Sequence, residues 1–151
     1  MSFTVKYGNR IEPSYPVPAG YSDAEYEWEM GDALVAFDSG GTTYVKRASD
    51  SNTSGTILIA KNFRRKISES AYPVQFTAID QTYSSGKCVC IAGEAYVTTN
   101  RIESGVSFAI GEDVKVGGTG KWTNTGSGQK VGRVHDIPSP GKITFLYRSP
   151  I

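Results

Sequence analysis

No stretch of this sequence longer than about ten residues carries helical periodicity; its apolar residues fall in short runs cut apart by glycine-rich turns. Such a chain can bury apolar surface only by pairing short strands. DVKV (113–116), KVGRVHDI (130–137) and KITFLYR (142–148) follow one another as strand candidates, with a glycine-rich segment after the first. KCVCIAGEAYVTT (87–99) is the longest strand candidate, with Gly93 and Glu94 placed for a bend or bulge. GDALVAFDSGGTTYVKRA reads as a hairpin: an apolar run at Leu34 to Phe37, a turn at Asp38-Ser39-Gly40-Gly41, and a return through Tyr44 and Val45. TILIAKN (56–62) and PVQFTAI (73–79) are further strand candidates. A chain of 151 residues, 38% hydrophobic and 21% charged, fits one domain, and 17 Gly, 9 Tyr and 6 Phe fit many turns joining aromatic strands. The fold class expected is all-β: a small β-barrel or sandwich of short antiparallel strands with an extended N-terminal arm.

The boundary of that arm is read from prolines. Pro13, Pro16 and Pro18 exclude a helix and a central strand, so residues 1–22 are expected to be extended. Phe3, Tyr7, Tyr15 and Tyr21 make this segment too aromatic for a passive linker, which implies that it lies on its own domain or on a neighbour. In AEYEWEM (24–30), Glu25, Glu27 and Glu29 alternate with Tyr26, Trp28 and Met30, the pattern of an edge strand with one acidic and one aromatic face. The expected organisation is therefore an arm and edge strand over 1–30 and a single β-barrel domain over 31–151.

Charge excludes one class of function. Sixteen basic and fifteen acidic residues give a net charge of +1, without the excess needed to hold nucleic acid by bulk electrostatics. The distribution is uneven, with an acidic first third and a basic remainder, which suits head-to-tail contact between copies. No apolar run is long enough for a signal peptide or a membrane span, so neither signal-dependent export nor a membrane partner is expected. Cys88 and Cys90 are the only cysteines and share a strand face; a bridge between them would be strained, and both are expected as small buried residues in a chain that tolerates reducing conditions.

Catalytic signatures are missing. His135 is the single histidine, with no serine in a G-x-S-x-G elbow, and the loops at Gly118–Lys121 and Gly126–Lys130 lack phosphate-loop spacing. No metal site, cofactor or catalytic set is expected. The Arg64-Arg65-Lys66 run is a candidate for phosphate or carboxylate surfaces. Trp28 and Trp122 are candidates for sugar stacking, which keeps a carbohydrate-binding β-module as an alternative. One internal echo stands at an offset of 80 residues: Gly31-Asp32, Leu34 and Ala36 lie over Gly111-Glu112, Val114 and Val116, suggesting two related hairpins in one barrel.

The order of these pieces carries a resemblance. An arm, then GDALVAFDSGGTTYVKRA, a strand ending in GEAYV, GEDVKVGGTGKW, VGRVHDI and a closing KITFLYR together resemble the small β-barrel decoration (cement, head-stabilisation) proteins of tailed-bacteriophage capsids, over about residues 31–148. The chain departs from that pattern in its Pro- and Tyr-rich arm and in the stretch from Phe63 to Tyr83. The resemblance implies a non-enzymatic virion protein, assembled in the host cytoplasm, that binds the capsid exterior as a homotrimer at three-fold or quasi-three-fold sites. Its partners would be the major capsid protein and itself. Tyr7, Tyr15, Tyr21, Tyr26, Trp28, Arg64 and Arg65 are the expected partner-binding residues. Removing residues 1–22 is expected to leave the barrel folded and weaken shell binding. A phage tail or baseplate component is the further alternative; a trimeric nucleotide hydrolase is disfavoured by the missing motifs.

Overall fold

The computed structural model describes residues 4–6, 10–16, 26–51, 55–64 and 87–148. Among them, eleven strands join in one antiparallel sheet that curls into a half-barrel, and no helix is long and apolar enough to cross a membrane. The strands are β1 (Thr4–Lys6), β2 (Arg10–Ile11), β3 (Ser14–Pro16), β4 (Ala33–Ser39), β5 (Thr42–Arg47), β6 (Ile57–Ala60), β7 (Lys87–Thr99), β8 (Asp113–Val116), β9 (Trp122–Thr123), β10 (Lys130–Ser139) and β11 (Lys142–Arg148). The main path runs β5-β4-β6-β7-β11-β10-β8-β9. The all-β reading holds, and β7, β8, β10 and β11 overlap strand candidates of the sequence. PVQFTAI and the neighbouring Arg65 lie outside the described residues.

Two cores share one wall. Along β4, β6 and β7 the side chains alternate between them: Ala33, Val35, Ile57, Ile59, Ile91 and Val97 enter a large core with Trp122, Phe145 and Tyr147. Leu34, Leu58, Ala60, Cys88 and Cys90 enter a second core with Val45, Tyr26 and Trp28. Strands covered on both faces need apolar residues at successive positions, which is why ILIA is buried throughout. β11 is covered on one face only, and its burial strictly alternates along KITFLYR. Tyr147 closes the large core by donating its hydroxyl to the Ile57 carbonyl at 2.6 Å.

The arm belongs to the sheet. β1, β2 and β3 pair antiparallel with successive parts of β7, at Thr4↔Thr98, Arg10↔Gly93 and Tyr15↔Cys88. Cys90 N–H also donates to the Pro13 carbonyl at 2.9 Å. The stretch expected as an edge strand behaves differently: within 26–30 the only ladder contact is an isolated bridge, Trp28↔Arg64. Its alternation still sorts the side chains, with Tyr26 and Trp28 buried and Glu27 and Glu29 half-buried.

The echo at offset 80 is a repeated piece of architecture. Asp32 N–H donates to the Glu29 carbonyl at 3.1 Å, and Glu112 N–H donates to the Ala109 carbonyl at 3.1 Å. In each turn the acidic side chain accepts from the first residue's N–H, Glu29 to Asp32 at 2.9 Å and Ala109 to Glu112 at 2.5 Å. Gly31 and Gly111 occupy the third position with φ of 93° and 89°, the left-handed conformation a type II turn demands there. Each turn then docks on a neighbouring strand: Gly31 N–H and Asp32 C=O bond Ala60, while Gly111 N–H and Glu112 C=O bond Val134. The match extends backward to Trp28 and Phe108, which pack on the second and first core respectively.

Candidate functional site

Tyr15, Tyr26, Trp28 and Arg64 are brought together, but mostly in the interior. Trp28 and Arg64 exchange two backbone hydrogen bonds of 2.8 Å, and the Arg64 guanidinium donates to the Tyr26 carbonyl at 2.5 Å. Trp28 Nε1 donates to the Asn62 carbonyl at 3.1 Å. Tyr26, Trp28 and Arg64 are 5%, 3% and 8% exposed, so the expectation that they present a partner surface is corrected. The outer face of β4, β6 and β7 is apolar, and these residues cover it. Arg64 enters the interior because its stem packs there while its head meets the carbonyl of Tyr26. Tyr7, Tyr21 and Arg65 lie outside the described residues.

Tyr15 is half-buried against the second core and lines a recess of about 360 Å³ with Ala36, Phe37, Asp38, Thr43, Gly55 and Thr56. Phe37 is flanked by Tyr44, with ring centroids 5.9 Å apart, and by Lys46 Nζ at 5.2 Å from its centroid. Thr43 Oγ1 donates to Asp38 Oδ1 at 2.6 Å at the rim. The lining mixes aromatic side chains with polar and backbone groups.

A second recess, about 320 Å³, is lined by Glu27, Trp28, Glu29, Asp32, Arg47, Arg101, Thr119 and Lys121. Asp32 and Arg101 form a two-pronged ion pair, Nε to Oδ1 at 2.7 Å and Nη2 to Oδ2 at 3.2 Å. The Asp32 carboxylate holds the Arg101 guanidinium above its usual range. The lining groups offer charge and hydrogen bonds to the recess. Sequence reading missed Arg47 and Arg101, which lie on separate segments and carry no local motif, and set aside the Gly118–Lys121 loop that supplies Thr119 and Lys121; only the Gly-Asp echo pointed to Asp32.

The remaining candidates take plain structural places. Trp122 is fully buried, donates Nε1 to the Gly31 carbonyl at 2.8 Å and packs on Phe145 with centroids 5.2 Å apart. With Trp28 also buried, neither tryptophan offers a face to a sugar, which corrects the stacking expectation. His135 is exposed where β10 departs from regular register, its ring 5.0 Å from that of Tyr96. Cys88 and Cys90 are buried and unbridged, with Sγ atoms 3.9 Å apart. The Cys90 thiol donates to Cys88 Sγ, which lowers the Cys88 pKa against the effect of burial; the same contact, together with burial, raises that of Cys90. Among the described residues, no group of three or more His, Cys, Asp or Glu side chains is placed to hold a metal ion.

Compared with known proteins, the chain matches no protein-family model, no curated protein and no solved structure.

Proposed function

We propose that this chain is a non-enzymatic virion structural protein that binds the outer surface of an icosahedral tailed-phage capsid as a homotrimer at three-fold or quasi-three-fold sites. The observation that carries this reading is the structural work done by the motif residues of the resemblance. Gly31-Asp32 and Gly111-Glu112 form twin docked turns, and Gly40 and Gly41, with φ of 60° and 85°, close the β4–β5 hairpin as a primed turn. Gly132 of VGR lies where a Cβ would overlap the Leu146 carbonyl. The pieces that carry the resemblance are thus barrel-building pieces in this chain.

The mechanism is linkage. A protein that binds the assembled shell and not its dissociated subunits raises shell stability by mass action, and many modest contacts on a symmetric lattice sum to firm attachment. The Tyr15 recess beside Phe37 is the contact assigned to the major capsid protein, with Arg47 and Lys121 of the charged recess facing a neighbouring copy. Co-sedimentation with heads and with isolated tails of the phage that encodes the chain tests this. Binding to heads alone supports the reading; binding to tails alone replaces it with a tail component, and a monomeric mass on the shell removes the trimer.

A further inference from the structure

We propose that Cys88 and Cys90 form a two-coordinate site for one soft, thiophilic cation of the copper(I) type, buried between β7 and the segment pairing Trp28 with Arg64. This inference is independent of the capsid reading.

Residues two apart on a strand share a face, and here both thiols turn into the second core, 2% and 0% exposed, with their sulfurs 3.9 Å apart. A soft cation held between two thiolates needs the sulfurs only slightly further apart, a change that small side-chain rotations supply. Thiolate donors select soft ions such as copper(I) over hard ones. Among the described residues no further carboxylate, imidazole or thiol joins the pair, so the four-ligand shell of a structural zinc is not on offer.

Charge and surroundings fit the same ion. Two thiolates and one monovalent cation leave a net charge of −1, and the Arg64 guanidinium, itself 8% exposed, acts electrostatically on the Cys88 sulfur. Trp28 packs in the same core as both thiols, and charge and packing around a ligand of this kind tune its affinity. On binding, two S–H bonds break, two metal–sulfur bonds form and both protons pass to solvent, with no change of oxidation state.

The test uses the reduced full-length chain, titrated anaerobically with copper(I) against a competing copper(I) chelator. One ion per chain is expected, with a thiolate-to-copper absorption band, and Cys88→Ser and Cys90→Ser should each abolish it. Arg64→Met should weaken binding roughly 10-fold. Retention of wild-type affinity in Cys90→Ser, or equal affinity in the urea-unfolded chain, would overturn the site. Because the variants alter a core, mercury(II) titration of the wild-type thiols provides a second measurement. One mercury silencing both thiols supports a shared site, and two mercury ions per chain overturn it.

Discussion

Asp32 and Arg101, 69 residues apart, meet through hydrogen bonds of 2.7 and 3.2 Å, with the Asp32 side chain only 3% exposed. The pair ties the first docked turn to the segment leaving β7, where Arg101 N–H also donates to Thr99 Oγ1 at 3.0 Å. Removing the guanidinium would strand a buried carboxylate. Arg101→Met should therefore destabilise by about 3 kcal/mol, the low end for a broken buried pair because the arginine is 29% exposed. Adding Asp32→Asn should recover part of the loss, since the amide oxygen still accepts from Glu29. Urea unfolding midpoints of the single and double variants check both statements.

Trp122 offers a second probe of the same junction. Phenylalanine keeps an aromatic ring beside Phe145 but leaves the Gly31 carbonyl without its donor from Nε1. Trp122→Phe should cost about 2 kcal/mol. Unfolding of the variant followed by circular dichroism reads this directly; a change below a few tenths would mean that water replaces the indole N–H.

Two glycines separate packing from conformation. A Cβ at Gly132 would overlap the Leu146 carbonyl on β11, so Gly132→Ala must push adjacent strands apart and should cost about 3 kcal/mol. At Gly41, with φ of 85°, a Cβ meets nothing within 4 Å, and Gly41→Ala should cost about 1 kcal/mol from backbone conformation alone. Thermal midpoints of the two variants should fall in that order.

Arm truncation now carries a different expectation from that of a detachable segment. Deleting residues 1–25 removes β1–β3 from β7 and the half-buried Tyr15 from the second core. The Tyr15 ring alone accounts for about 1.5 kcal/mol, and β7 would gain an open edge. The truncated chain should unfold at lower urea and bind more of an apolar fluorescent dye. Unchanged stability would mean that the arm is held only loosely.

The sequence by itself determined several of the strands. Short runs set off by turn residues in KITFLYR, DVKV and KCVCIAGEAYVTT marked β11, β8 and β7, and Gly40-Gly41 marked a hairpin because the turn needs positive φ. It also showed the Gly-acid echo, since each copy uses the same local hydrogen bonds. Only the tertiary structure decided what covers each face. Apolar positions along β4, β6 and β7 announce burial but not the partner layer, and nothing local in Tyr26, Trp28 or Arg64 distinguishes an anchor for another protein from a lid on this one. That choice depends on long-range packing: Arg64 meets Tyr26 across 38 positions, and Arg101 meets Asp32 across 69. Contacts of that range leave no periodic trace, because the chain can bring such residues together only after the sheet has curled.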